Sequence, residues 1–431
     1  MKKLLWILLL LPNIAFAASK VEEIRTPAGF TIWLVEEHSL PIITTNVSFS
    51  GSGLAYDPAG KEGRANMTAA LLLEGAGERG AKEFNEALEN DAIRLNIGGD
   101  DDTIHASLET LSEHKEQAFS LLADALIRPR FDDDAMARTR AKIQAILVEQ
   151  GGSPYYKLSR AFAAQVFPGH PYSRLGLGSK ETVDALTKSD LRNVVARYIT
   201  KENIIISVVG DTTREEISKI VDEKFKGLPE KYDPDSSVAD VSFAQEGASQ
   251  TVEHDIPQTL VGFGLPGLKR TDPDYIPAFV MNYILGGDGL SSRLGQEIRV
   301  KRGLAYSVTS SLQPKGHAGV WRGMFATRNE QAMSAIDTLK ATLASYQKNG
   351  ATEQELKDAK AYLTGSFILD LSSNREVANF LTVMQIYELG SDYLEKRNQL
   401  IEQVTLADVN RLSSTLIDPA RLRLVMVGKP Q

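Results

Sequence analysis

The chain has 431 residues, 42% hydrophobic and 24% charged, with 48 Lys+Arg against 56 Asp+Glu, a net charge of −8 and no cysteine. That length is too great for one ordinary core and calls for two or more domains, in a residue balance typical of globular proteins. The acidic charge argues against general binding to nucleic acid or anionic membranes, which needs a cationic surface, and the missing cysteines exclude disulfides and thiolate catalysis or metal ligation.

At the N-terminus, Lys2 and Lys3 precede an apolar run from Leu4 to Leu11 that Pro12 breaks, and Ala15-Phe16-Ala17 is a small-x-small cleavage signal. The run falls short of the roughly 20 apolar residues that span a membrane. Residues 1–17 therefore read as a signal peptide that exports the chain to the periplasm and leaves no membrane span once removed; an uncleaved anchor is the competing reading. Strands are expected over 29–36 and 41–49, on either side of the turn-prone Glu37-His38-Ser39-Leu40-Pro41. Helices are expected over 62–73, 81–91, 112–127 and 132–150. Between two short strands before residue 110 lies Gly98-Gly99-Asp100-Asp101-Asp102. It reads as a solvated turn, because the ligand spacing of a calcium loop is absent. In the second acidic run, Asp134 reads as a helix cap.

Residues 226–250 are polar, carry Gly, Pro and Ser and follow no period, as an exposed linker does. Beyond them come a strand over 259–264, helices over 274–285 and 290–302, strands over 304–312 and 317–326, and long helices from 330 to 400. The glycine run Gly286-Gly287-Asp288-Gly289 lacks the Lys-Ser/Thr ending of a phosphate cradle and reads as a flexible loop.

Two stretches repeat at a constant offset of 218: Thr187, Asp190, Ile199, Val209 and Gly210 match Thr405, Asp408, Ile417, Val427 and Gly428. Each copy reads as a Thr-capped helix followed by an apolar strand that stops at glycine. A gapless repeat of that length indicates duplication. The expected architecture is α+β: two tandem homologous domains, each a mostly antiparallel sheet packed with helices, over residues 18–225 and 251–431.

Particular residues carry a family likeness. Leu285-Gly286-Gly287, Ser291-Ser292-Arg293-Leu294, Arg299 and Gly303-Leu304-Ala305-Tyr306-Ser307-Val308 resemble the second-domain signature of pitrilysin-type (insulinase-like) zinc peptidases. Arg128-Pro129-Arg130-Phe131, Phe167-Pro168-Gly169-His170-Pro171-Tyr172 and the run from Gly63 to Asn85 resemble first-domain landmarks of the same family. The likeness extends from residue 20 to the end and is nearest the small bacterial, mitochondrial-processing-peptidase-like branch. It implies a first domain that carries His-x-x-Glu-His on a helix and a later glutamate. Histidines at i and i+4 share one helical face and so one zinc ion, and the glutamate between them takes the proton of the zinc-bound water.

This chain departs from the family at that motif. Asn66 and Ala70 stand at the histidine positions and Ala69 at the general base, while the later glutamate falls near Gln144–Ile146, with Ile146 the best match. Alanine and isoleucine offer a metal no lone pair. The six histidines (His38, His105, His114, His170, His254 and His317) are scattered singly, and His170 reads as turn punctuation. No zinc is expected in this chain, nor peptide hydrolysis by the chain alone.

Arg299 and Tyr306 match the arginine–tyrosine pair that the family's second domain points at bound peptide. Both are donors able to hold a carbonyl oxygen or the oxyanion formed from it. A structural role competes with this one. Leu304, Tyr306 and Val308 alternate as a strand with Tyr306 on its apolar face would, and Arg299 suits the last turn of any helix that ends at Gly303. The resemblance implies a non-catalytic, substrate-binding subunit of a heterodimeric zinc peptidase, with zinc held by a homologous partner and an unfolded peptide as substrate. A zinc-less scaffold or a peptide-binding homodimer is the alternative.

Overall fold

A computed structural model describes residues 20–431 apart from Leu175 and Asp288, so the signal-peptide reading of residues 1–17 lies outside the described residues. The first domain contains strands β1 (Glu22–Arg25), β2 (Thr31–Glu36) and β3 (Ile42–Ser50), a two-residue hairpin of β4 (Gly75–Ala76) and β5 (Arg79–Gly80), then β6 (Arg94–Gly99), β7 (Thr103–Leu111) and β8 (Ile204–Gly210). Its helices are α1 (Arg64–Leu71), α2 (Ala81–Asn90), α3 (Lys115–Ile127), α4 (Asp133–Gly152), α5 (Pro154–Val166), α6 (Lys180–Ala185), α7 (Lys188–Tyr198) and α8 (Arg214–Phe225). The second domain contains β9 (Ala248–Glu253), β10 (Gln258–Pro266), β11 (Val308–Lys315), β12 (Ala318–Arg328) and β13 (Arg423–Gly428). Its helices are α9 (Tyr275–Asn282), α10 (Ala332–Asn349), α11 (Glu353–Gly365), α12 (Asn374–Ile386), α13 (Tyr393–Gln403) and α14 (Leu406–Leu416).

Among the described residues the first sheet runs β1-β2-β8-β3-β7-β6 and the second β11-β12-β10-β13-β9. Read from the other end, the second sheet superimposes on the first from β2 onward. In each, one pair is parallel, β2 with β8 and β9 with β13, and the rest are antiparallel. This is the expected α+β duplication. The repeated segments become α7–β8 and α14–β13, and both helices open with the same cap. The hydroxyls of Thr187 and Thr405 accept from the backbone N–H of Asp190 and Asp408, whose carboxylates accept the threonine N–H in return. Gly210 and Gly428 end the strands at φ 138° and 146°. A Cβ on Gly210 would lie 2.1 Å from the Ile42 carbonyl oxygen, so only glycine fits there.

Each domain has its own core, around Leu34, Phe49, Phe119 and Phe225 in the first and Phe263, Trp321, Phe325 and Tyr346 in the second. The domains also exchange cover. From the second domain, α12 lies across β3 and β8, where Leu381 and Met384 pack on Val35 and Val209. From the first, α5 lies across β10 and β13, where Leu158 and Phe162 pack on Leu260, Val425 and Val427. Gly262 and Gly264 make room for it, since a Cβ on Gly264 would lie 2.6 Å from the Phe162 ring. Burial of apolar side chains from both domains in shared cores holds the two halves as one body.

Several expectations change. The Asp100–Asp102 turn is not merely solvated: Asp101 pairs with Lys315, and Asp102 accepts from the Tyr172 hydroxyl (2.5 Å) and the Gly316 N–H (2.9 Å), which docks the turn on the second domain. Asp134 sits in the first turn of α4 paired with Arg138, and Asp132 holds the N-cap position. Residues 226–247 form no helix or strand, but they are pinned rather than loose, and β9 starts at Ala248, before the expected linker ends. The helix expected over 290–302 shrinks to a π-helical turn over Gly295–Val300, and a second π turn over Tyr283–Gly287 extends α9. Among the described residues no helix is long and apolar enough to cross a membrane.

Candidate functional site

Helix α1 carries the three positions at which the motif is missing, and it starts where the chain turns sharply. Gly63 adopts φ 94°, and a Cβ there would meet the Leu177 carbonyl oxygen at 2.6 Å. The N–H groups of Gly63 and Ala65 both bond the Asp57 carboxylate at 3.0 Å, so a buried acid serves as the helix cap. Beside it the buried Arg64 guanidinium reaches Asp57 (3.4 Å) and grips Asp235 with both terminal nitrogens (2.9 and 3.2 Å). The Tyr198 ring lies 5.1 Å below it, and the Tyr198 hydroxyl donates to Asp235. Asp235 belongs to the segment between the domains, and this cluster is what pins it. Burial pushes Asp57 up to about 7 against the opposing pull of Arg64 and the two backbone N–H groups. Burial opposes the ionisation of Asp235 too, but hydrogen bonds from Arg64 and Tyr198 hold it below its usual value. Sequence reading missed this cluster; the signal available was an arginine as the one charged residue of helix α1.

The three motif positions differ in surroundings. Asn66 is half-buried and Ala70 exposed, on one face as i and i+4. Ala69 is 1% exposed and packs in a cluster with Ala65, Ile104, Val194 and Tyr198. On α4, which packs against α1, Ile146 is half-buried and the Gln144 amide is engaged with Asp184. Among the described residues no group of three or more His, Cys, Asp or Glu could hold a metal ion. The histidines do separate jobs. His38 bonds Asp211 (2.8 Å), His170 accepts from the Tyr172 N–H (3.1 Å), His254 meets Lys157 (3.2 Å) and His317 meets the Tyr56 hydroxyl (2.9 Å).

The structure brings Arg299 and Tyr306 together. The Arg299 guanidinium carbon stands 4.7 Å from the centre of the Tyr306 ring. Between them the chain reverses at Gly303, φ 62°, with the Gly303 N–H bonded to the Arg299 carbonyl and the Leu304 N–H to the Ile298 carbonyl, each at 2.9 Å. Tyr306 precedes β11 instead of lying within a strand, and 84% of its surface is exposed, which rules out the core-tyrosine reading. Neighbouring charges are spoken for: Glu297 is taken by Lys301 and Arg302. Arg299 has no ion pair among the described residues. The pair thus brings two hydrogen-bond donors together at one place, on exposed Tyr306 and half-buried Arg299, and it can hold a carbonyl or carboxylate oxygen.

Both features sit beside equivalent edge strands. Helix α1 packs on β6, the edge of the first sheet, and the π turn that bears Arg299 packs on β11, the edge of the second. In the duplicated topology β6 and β11 are counterparts. Each leaves one row of backbone N–H and C=O groups without a strand neighbour, which is where an extended peptide can add.

Comparison with known proteins places these halves. Residues 43–173 match the family model described as Insulinase (Peptidase family M16), and residues 185–363 match the one described as Peptidase M16 inactive domain. A Helicobacter pylori protein named "Non-peptidase homolog YmxG" is 28% identical, over 85% of this chain and 84% of its own length. A Schizosaccharomyces pombe protein named "Probable mitochondrial-processing peptidase subunit beta" is 26% identical over 96% of this chain and 92% of its own. A crystal structure described as a peptidase M16 inactive domain from Pseudomonas fluorescens superposes with a TM-score of 0.89 at 27% identity, covering 95% of this chain and 98% of that one.

Proposed function

Because the chain belongs to the insulinase (M16) peptidase family, we propose that it serves as the non-catalytic, substrate-gripping partner of a zinc-bearing homologue in a two-chain peptidase. One observation carries this reading. The family's histidine positions hold Asn66 and Ala70 and its general-base position Ala69, while half-buried Arg299 stacks on the exposed Tyr306 beside the edge strand β11. A chain kept only as scaffold has no need to hold an arginine without an ion pair against an exposed tyrosine. Similarity to a protein named as a non-peptidase homologue and to one named as a beta subunit fits a chain that works in company.

In this scheme a zinc ion held by the partner would make hydroxide available for attack on the peptide. This chain's residues contribute binding and charge stabilisation. The edge of β11 receives the extended peptide through backbone hydrogen bonds, a mode tolerant of sequence. The Arg299 guanidinium and the Tyr306 hydroxyl donate to the carbonyl oxygen as it gains negative charge. The signal-like first 17 residues support a periplasmic setting for this activity.

The deciding experiment mixes the purified chain with a zinc-bearing homologue of similar length from the same genome and follows cleavage of an unfolded peptide. Activity should appear in the mixture and in neither protein alone. Stoichiometric zinc and cleavage in this chain by itself would overturn the reading. Turnover unchanged in an Arg299→Ala, Tyr306→Leu double variant that still assembles would favour the scaffold or peptide-binding homodimer instead.

A further inference from the structure

A cleft of about 570 Å³ opens between the two domains, lined by no residue of α1 and by neither Arg299 nor Tyr306; the first domain contributes Tyr56 and Asp100 to it and the second Arg270, Tyr387 and Glu388. Its volume lies within the range of small-molecule sites, roughly 300–1,000 Å³. Most of its charges are already matched. Lys315 pairs with Asp101, Lys269 with Asp240, and Asp100 accepts from the N–H groups of Asp102 and Thr103 at 2.8 Å and from the Thr103 hydroxyl at 3.0 Å. The Asp102 carboxylate is taken by the Tyr172 hydroxyl and the Gly316 N–H. Arg270 and Glu388, of opposite sign, also line the cleft without an ion pair among the described residues.

Arg270 is held in place as a ready cation. Its guanidinium carbon lies 4.3 Å from the Tyr275 ring centre and 5.1 Å from that of Tyr393, and one nitrogen donates to the Tyr393 hydroxyl at 2.6 Å. The tyrosines fix the plane of the fork and leave its remaining N–H groups unspent, the arrangement that binds a carboxylate with two parallel bonds. A second guanidinium reinforces the positive potential. Buried Arg397, which donates only to the Leu363 carbonyl and the Asn398 side chain, is held below its usual pKa by burial and by the charge of Arg270. Glu388, exposed at the cleft, adopts φ 52°, the left-handed position that closes α12, with the Leu389 N–H bonded to the Met384 carbonyl at 2.9 Å.

We propose that the interdomain cleft binds a short peptide with free termini, its carboxylate on the Arg270 fork and its amino group toward Glu388. The size of the cleft and the opposite charges of Arg270 and Glu388 on its wall suit a zwitterion of two or three residues better than a single ion. The binding requires no zinc-bearing partner, so its failure and the failure of the two-chain reading are separate results.

The test is calorimetric titration of the whole chain with trialanine, trialanine amide, N-acetyl trialanine and acetate. Trialanine should bind saturably. The amide, and trialanine on an Arg270→Met variant, should bind roughly 10- to 100-fold more weakly, the scale of a lost charge-assisted hydrogen bond. The N-acetyl peptide and a Glu388→Gln variant should bind several-fold more weakly. Should Arg270→Met fail to match the wild-type melting curve, Arg270→Lys keeps the charge, loses the fork and should still weaken binding measurably. No saturable binding at millimolar trialanine, equal binding of the amide, or acetate binding as tightly as trialanine would each sink the proposal.

Discussion

The guanidinium of Arg299 and the ring of Tyr306, seven positions apart in sequence, lie face to face at 4.7 Å on the outside of the second domain, with Gly303 turning the chain between them. This contact orders two long side chains and leaves Tyr306 exposed and Arg299 half-buried. A substrate oxygen therefore meets a pair that has already lost most of its rotamer freedom. Truncation at an exposed site affects stability little, within about 0.5 kcal/mol. In the assembled two-chain enzyme, Arg299→Ala or Tyr306→Leu should lower turnover by ~10²–10³ while leaving the melting temperature of this chain in place. A matching fall in melting temperature would reassign the pair to structure.

Rebuilding the metal motif should expose the inequality of its three positions. Asn66→His with Ala70→His places two imidazoles on a partly open helical face and should fold normally. Adding Ala69→Glu drives a carboxylate into the cluster of Ala65, Ile104, Val194 and Tyr198. Urea unfolding should show a loss of roughly 3 kcal/mol, the scale of an uncompensated buried charge. A fully stable triple variant would mean that the glutamate finds its way to solvent.

The Tyr172 hydroxyl ties the Asp102 carboxylate of the first domain to the backbone N–H of His317 in the second. Tyr172→Phe leaves an acceptor and a donor without this shared partner. The expected cost is about 1–3 kcal/mol in denaturant unfolding. An unaffected midpoint would show that the two groups are satisfied by water.

Asp57 has an unusual pH signature. Folded, it holds its proton up to about pH 7, whereas an unperturbed carboxyl ionises near 3.8. Between those values the native state binds more protons than the unfolded one, so this site's contribution to stability falls as the pH rises and is level above about 7. Asp57→Asn cannot ionise. Whatever its absolute stability, the variant should gain on the wild type between pH 5 and pH 8 when melting temperatures are compared. A gap that stays constant or widens against the variant would mean that Arg64 keeps Asp57 ionised throughout.

Much of this protein was legible before folding was considered, because the relevant facts are local or repeat along the chain. Thr187 and Thr405, each three residues before an aspartate and each followed by a strand ending at glycine, betray the duplication through capping and turn chemistry that needs only neighbours in sequence. The loss of the histidines at residues 66 and 70 and of the general base at 69 is likewise a property of the side chains themselves, since alanine can neither ligate nor take a proton in any fold. What only the tertiary structure decided is who faces whom. Alternation at 304, 306 and 308 is compatible with a buried Tyr306, and only the chain reversal at Gly303 turns it outward. Helix α5 covers the second sheet and α12 the first because Gly262 and Gly264 leave room and Val35 and Val209 leave apolar surface, and neither fact names its distant partner. The Asp100–Asp102 run reads as a solvated turn, yet Asp102 docks the domains, and nothing in the sequence marks Arg270 as standing without an ion pair in the cleft between them, because hydrophobic period records how a segment is sided and carries no record of the surface packed against it.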